Sequence, residues 1–165
     1  MNYTELIAAL INSLIVCIGS MLIAVPVGVS LAVLLIRTNV IGKRLLWLAI
    51  GSQIATPLYV CAGSWNAGFG SQGWWPLSQV VATQFEVSAV LAVIFVHAVA
   101  AIPWVCLIIS LGLVWSHRGQ EEMALIEGGG WHLLRFSLLP KLQLWLAASC
   151  LWCVVPVLTE MVVTN

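Results

Sequence analysis

The sequence predicts an all-α fold, a polytopic bundle of about four membrane-spanning helices. Three observations predict it. Hydrophobic residues make up 62% of the 165-residue chain and charged residues only 7%, whereas a soluble domain needs roughly 25% charged residues to cover its surface. Long apolar segments without a charge recur along the chain. The six Lys and Arg residues fall in only two of the connections between those segments.

The apolar segments 6–36, 45–63, 87–115 and 142–159 are the predicted spans. The whole chain, 1–165, is predicted to form one membrane domain. A bilayer core needs roughly 20 helical residues, so the first and third segments are expected to tilt, kink or enter the interface. Each of these two contains a proline, Pro26 or Pro103. The first segment is too long for the apolar part of a secretory signal, and no basic region precedes it, so a membrane helix is predicted.

Basic residues predict the orientation. With four spans, the connections that hold them lie on one side of the membrane: Arg37, Lys43 and Arg44 in the first, and Arg118, Arg135 and Lys141 in the third. The positive-inside rule makes that side cytoplasmic, so the N-terminus and the 64–86 loop face outward. In that loop Trp65, Trp74 and Trp75 suit the aromatic belt at the membrane interface, although a loop of this composition could also meet a soluble partner.

Small residues recur every four positions on one face of the first segment: Ser20, Ala24, Gly28 and Ala32. Such a row lets two helix backbones approach closely, so a packing face is predicted; the alternative is that alanine and glycine are simply common in membrane helices. Cys150 and Cys153 form a C-x-x-C inside an apolar segment without a second pair or a histidine cluster. They are interpreted as apolar fillers, and no metal site is predicted.

His97 is an ionisable side chain within the third span. Intramembrane ionisable residues commonly belong to a transport pathway or another functional site. A neutral histidine can also serve only to hydrogen-bond a neighbouring helix. Both interpretations are open from the sequence.

The segment 120–140, QEEMALIEGGGWHLLRFSLLP, is a polar island between two apolar segments and contains half of the six acidic residues. A short helix over 120–127 is predicted, with Glu121 and Glu122 in its first turn, where the helix dipole favours negative charge. Three glycines, 128–130, should end it. A second amphipathic piece follows, and Pro140 suits the first turn of the next helix. Such a helix–turn–helix can transmit a push to two spans, or it can lie flat on lipid as an ordinary interfacial loop.

This island resembles the cytoplasmic coupling loop of permease subunits of binding-protein-dependent ABC importers, whose pattern is Glu-Ala-Ala, three residues, Gly, a spacer, and a terminal Leu-Pro. The matching positions are Glu122 for the acid, Met123 and Ala124 for the alanines, Gly128 for the glycine, and Leu139 with Pro140. Met123 departs from alanine, and the spacer is one residue shorter than the commonest form. The segments that begin at Asn12, Pro57 and His97 also resemble these permeases, the last two most closely the ferric-iron-type branch.

The resemblance implies a partial type I permease fold in the plasma (inner) membrane and a role in import, with iron transport as the branch's activity. The implied partners are a cytoplasmic ATP-binding subunit, a second permease half, an extracytoplasmic solute-binding protein and the lipid bilayer. The ATPase-docking residues are expected within the coupling loop 116–141: Glu121, Glu122, Ala124, Gly128, Leu139 and Pro140. His97 and Trp104 are the candidate pathway residues. Family members have a further helix after the one that begins near Leu142, so the chain is expected to be part of a longer permease.

The chain itself is not expected to be an enzyme or to hold a cofactor. It has no G-x-x-x-x-G-K-[ST] sequence, so ATP hydrolysis is assigned to the separate subunit. Its zero net charge argues against nucleic acid as a partner. An intramembrane enzyme that uses His97, Glu86 or Glu160 is the alternative from another class, and a non-catalytic scaffold is a third. The chain has no Asp, and its histidines lie on different segments, which disfavours the enzyme.

Overall fold

A computed structural model describes residues 3–69, 73–74, 87–116 and 118–159. The helices are α1 Tyr3–Arg37, α2 Lys43–Ala55, α3 Leu58–Phe69, α4 Val87–Trp115, α5 Arg118–His132 and α6 Leu139–Thr159, with a π-helical segment, Leu133–Leu138, between α5 and α6. No strand occurs within these described ranges, and the predicted all-α fold is confirmed.

Three helical stretches are long and apolar enough to cross a membrane: Ile7–Arg37, Ala89–Trp115 and Leu139–Thr159. They cover three of the four predicted spans. The other predicted span, 45–63, is not one straight helix, because α2 and α3 meet at a bend of 100°. Thr56 adopts an extended conformation there (φ −84°, ψ 117°). The pyrrolidine ring of Pro57 disfavours a helical conformation for the residue before it, which accounts for the break.

Helices α1 and α4 run in the same direction and are in contact along most of their length. Pairs of residues meet in the same order along both: Gly19 with Ile94, Gly28 with Val105, and Arg37 with Leu113. The chain between them must therefore return from one end of the pair to the other, and α2 and α3 lie on that path. Connections 38–42 and 116–117 consequently begin at the same end of the bundle, as the charge pattern predicted.

Helix α6 runs antiparallel to α4. Near one end Trp145 contacts Gly112, and towards the other the rings of Trp104 and Trp152 lie 4.6 Å apart. This direction returns the chain to the end at which α1 begins. The α1–α4–α6 group thus forms the packed centre of the described structure.

The predicted small-residue face of α1 is confirmed. Its members are all buried: Ser20, Ala24, Gly28 and Ala32. They pack against fully buried α4 side chains, of which Val105 lies closest to the glycine. Cys153 is buried within the same apolar core, consistent with its interpretation as a filler, and Cys150 is half-buried.

Candidate functional site

Three chain segments converge on one ion pair at the end of the bundle that carries α5. Arg37 is the last residue of α1, and its guanidinium donates hydrogen bonds to the Leu113 carbonyl of α4 at 2.8 Å and to Glu121 Oε1 of α5 at 2.5 Å. The Ser116 hydroxyl donates to the same carboxylate oxygen at 2.9 Å. We call this group the Arg37–Glu121 clamp.

The clamp forms because the buried carboxylate of Glu121 needs a countercharge. The Leu113 carbonyl, in the last turn of α4, accepts from the Ser116 N–H at 3.2 Å and has a second lone pair for Arg37. Glu121 is only 5% exposed, and a buried carboxylate is strongly destabilising without a countercharge and hydrogen bonds. Arg37 supplies the charge, and Ser116 supplies a further donor. The clamp therefore fixes the position of α5 relative to α1 and α4.

The two adjacent glutamates are in different environments. The motif assigned the acidic position to Glu122, with the role of fixing the coupling helix or meeting an ATPase. Glu122 is exposed, whereas Glu121 is buried and clamped. Glu121 therefore makes the buried ion pair that holds α5, and a role for Glu122 in meeting an ATPase stays a prediction. Glu122 lines a cleft of about 250 Å³ next to the clamp, together with Leu125 and Leu133.

The predicted break at the triple glycine is confirmed. Gly129 adopts φ 71° and ψ −167°, a conformation essentially restricted to glycine, and it divides α5 into two helical pieces. At Gly128 an added Cβ would lie 2.5 Å from His132 Cβ, so a side chain does not fit there either. The motif assigned the turn to Gly128, but the unusual backbone conformation is one residue later.

Three motif residues remain: Ala124 lies before this break, and Leu139 and Pro140 lie beyond it. The second predicted amphipathic piece is the π-helical segment Leu133–Leu138, whose wider turns lead into α6. Leu139 and Pro140 are the first two residues of α6, as predicted for the proline, and both are exposed. Ala124 belongs to α5, but its side-chain surroundings lie outside the described part of the chain.

We expect Gly129→Ala to destabilise the local structure by about 1–3 kcal/mol, because a Cβ strains this backbone conformation. Gly130→Ala is the matched control, since no heavy atom lies within 4 Å of a Cβ placed there and its φ is not positive. Amide hydrogen exchange across 118–132 in nanodiscs would measure the difference. Equal exchange rates in the two variants would contradict a structural requirement at Gly129.

Helix α5 presents an apolar face away from the clamp. Met123 and Ile126, three residues apart and thus on the same side of a helix, are 66% and 86% exposed. They lie in a segment that also holds three glutamates and is too polar to be a span. An exposed apolar face on an otherwise polar segment is typical of a surface that contacts a partner protein or lipid.

A second group of functional candidates lies deep between the long helices. His97 is 3% exposed, and it lines a cavity of about 140 Å³ with Trp104, Gln53 and Trp152. The two candidate pathway residues are thus brought to one cavity. A neighbouring cavity of about 350 Å³ is lined by Gln53 and Thr56 as well, with Trp65 and Phe95. Gln53 and Thr56 were not among the predicted site residues, although polar residues beside a Thr-Pro step within an apolar segment were an available signal.

The structure does not bring the clamp and this intramembrane group together. His97 precedes Leu113 by 16 residues on α4, which corresponds to about 24 Å along a helix. Of the residues considered for an intramembrane enzyme, Glu86 and Glu160 lie outside the described residues. Among the residues that the structure does describe, no three His, Cys, Asp or Glu side chains are grouped so that they could hold a metal ion.

The tryptophans of the predicted outward loop differ from one another. Trp65 belongs to α3, where its ring stacks on Phe69 at 4.6 Å and contacts Phe95 at 5.0 Å. Trp74 is 75% exposed. Trp75 is not among the described residues.

No family model matches this sequence, and no curated protein matches it either.

Proposed function

We propose that this chain is the transmembrane permease subunit of an ATP-driven importer, in which it forms half of the solute pathway and couples that pathway to a separate ATPase. One observation carries the proposal: α5 is a short helix outside the apolar spans, held on one side by buried Glu121 and exposing Met123 and Ile126 on the other. A helix that is fixed to the spans and exposes apolar side chains is suited to receive a soluble partner.

The connections of α5 support a coupling role. Its first turn is joined through the clamp to the ends of α1 and α4. Its last turn continues, through the Gly129 break and the π-helical segment, into α6. A displacement of α5 by a bound ATPase would therefore reach three long helices at once. An ordinary interfacial loop needs no buried ion pair to the spans.

The basic residues support the orientation that coupling requires. Lys43, Arg44, Arg135 and Lys141 accompany Arg37 at or near the end that carries α5, and the positive-inside rule makes that end cytoplasmic. In this proposal a solute-binding protein docks at the opposite face, and a second permease half completes the pathway in the plasma membrane.

The test is retention of the ATP-binding subunit of a ferric-iron-type importer, after co-expression with this chain and purification in detergent. We expect Ile126→Asp to lower retention at least tenfold, because a charge replaces an apolar contact at the centre of the α5 face. Ile41→Asp is the matched control, since Ile41 is fully exposed (100%) in the connection that starts from the same end of the bundle.

Retention that is unchanged in Ile126→Asp would overturn the proposed docking surface. Loss of retention in Ile41→Asp alone would move the surface to connection 38–42. Circular dichroism and gel filtration of both variants would verify that the helices and the monodisperse state are preserved. In reconstituted vesicles, the Ile126→Asp variant should also fail to stimulate ATP hydrolysis when solute and receptor are added.

A further inference from the structure

The two intramembrane cavities meet at the bend between α2 and α3. Both are lined by Gln53 and Thr56, the residues at and just before the break. His97 and Trp104 line the smaller cavity from α4, and residue 101, the midpoint of α4, lies between them. The cavities therefore lie about halfway along a helix that spans the membrane, where discontinuous helices form solute sites in transporters.

The polar atoms of the lining include both hydrogen-bond donors and acceptors, and the indole N–H groups of Trp65, Trp104 and Trp152 are donors. The hydroxyl protons of Thr56 and Ser64 are donated to carbonyls of their own helices, those of Ser52 and Val60. These hydroxyl oxygens keep lone pairs that can face the cavity. The Gln53 amide nitrogen donates to Cys61 Sγ at 3.5 Å, which leaves the Gln53 carbonyl oxygen as an acceptor. A ligand that both donates and accepts hydrogen bonds therefore fits this site.

Charge narrows the class of ligand. No Lys, Arg, Asp or Glu is among the described residues that line the two cavities. An ammonium group or a bare metal ion would be left without a countercharge near the bilayer centre, which is strongly unfavourable. The carbonyl end of α2 and the aromatic faces favour a cation too weakly to offset that loss. An anion would likewise meet no Lys or Arg countercharge there. A neutral donor, such as a hydroxyl-rich molecule, meets none of these objections.

The volumes of the two cavities and their aromatic lining further restrict the class of ligand. The larger cavity, about 350 Å³, is near the lower end of the range for small-molecule sites, about 300–1,000 Å³. Trp65, Phe69 and Phe95 line it, and the Trp104–Trp152 pair lines the smaller one. Flat aromatic faces suit the apolar face of a ring. We infer that the bend between α2 and α3 binds a small, uncharged, ring-shaped polyol; its place on a transport pathway rests on the proposed function.

The test is a titration of the full chain in nanodiscs with myo-inositol, followed by intrinsic tryptophan fluorescence. Saturable binding is expected, weakened at least tenfold in Gln53→Leu, which removes the amide acceptor. Ser52→Ala should keep the affinity within about twofold, because Ser52 is exposed and lines neither cavity. Thr56→Val removes only a hydroxyl acceptor and should weaken binding as well. It keeps the test valid if Gln53→Leu does not fold.

Three parallel titrations use ethanolamine, citrate and ferric citrate. Saturable binding of one of these without inositol binding would overturn the inference, as would inositol affinity that is equal in Gln53→Leu and Ser52→Ala. No ATPase is present in this assay. A chain that binds inositol but retains no ATPase therefore contradicts the proposed function alone, and a chain that retains the ATPase but binds no polyol contradicts only the site.

Discussion

Glu121→Ala is expected to lower the free energy of unfolding by about 3 kcal/mol. The substitution removes the only carboxylate in the clamp and leaves the Arg37 guanidinium, whose side chain is 15% exposed, with the Leu113 carbonyl alone. Breaking a buried ion pair from one side costs about 3–5 kcal/mol, because the remaining charge stays desolvated. The lower end applies here because Arg37 keeps some contact with solvent. Reversible SDS unfolding of the protein in mixed micelles would measure the loss.

Glu122→Ala provides the matched control. It removes the same side chain from the next residue, which is exposed, and changes at exposed positions usually shift stability by no more than about 0.5 kcal/mol. If the two alanine variants unfold at the same SDS fraction, Glu121 does not hold α5 in place.

The double variant Arg37→Met/Glu121→Leu separates two explanations of the loss. When both partners of a buried pair are replaced by apolar side chains, stability is often kept or even gained. We expect the free energy of unfolding of the double variant to lie within about 1 kcal/mol of that of the parent protein. This loss is far smaller than the sum of the losses in the two single variants. The double variant would nevertheless lack the hydrogen bonds from Arg37 to Leu113 and from Ser116 to Glu121, so coupling to an ATPase should remain impaired. Additive losses would show that the two residues act independently.

Gly28→Leu is the second variant with a large expected effect. A Cβ at this position would lie 2.6 Å from Val105 Cγ1 and 3.1 Å from the Ile102 carbonyl oxygen. Both neighbours belong to α4, and one of them is backbone, so α1 and α4 must separate. Overpacking of this kind costs about 1–3 kcal/mol, and we expect the upper end because three further carbons must also be accommodated.

Gly51→Leu is the corresponding control, since a Cβ at Gly51 meets no heavy atom within 4 Å. Thermal unfolding followed by circular dichroism would compare the two. Adding Val105→Ala to Gly28→Ala should restore only part of the stability that Gly28→Ala loses. Alanine keeps the Cβ of residue 105, and Val105 Cβ itself lies 2.7 Å from the added carbon. Equal melting temperatures for the two leucine variants would contradict close packing of α1 on α4.

The long helices and the shared end of the two basic connections were predictable from the sequence because lipid leaves few choices. A span must be an apolar helix, and basic residues favour one side of the membrane. The bend at Pro57 was less accessible. Pro26 and Pro103 carry the same local signal, yet both remain inside continuous helices. Whether a proline breaks a span depends on the neighbouring helices that satisfy the freed backbone groups, and those contacts are not written locally.

The candidate sites could also be predicted only in part, because the local sequence does not specify the tertiary contacts that form them. Glu121 and Glu122 are equivalent by composition and position, and the phase of α5 about its axis decides which of them is buried. Arg37 sets that phase from 84 residues away. Likewise, Gln53, His97 and Trp152 meet only because three helices pack together. The break at the triple glycine was predictable because three consecutive glycines disfavour a helix regardless of tertiary context.

The 84-residue separation within the clamp also has a consequence for biosynthesis. Ribosomes add about 5–20 residues per second, so Arg37 emerges roughly 4–17 seconds before its carboxylate partner. During that interval α1 is in the membrane with an uncompensated guanidinium at its end, where water and lipid headgroups must solvate it. The bilayer surface thus serves as a temporary counterion, and the final arrangement of the nascent helices is settled only when the ribosome has passed residue 121.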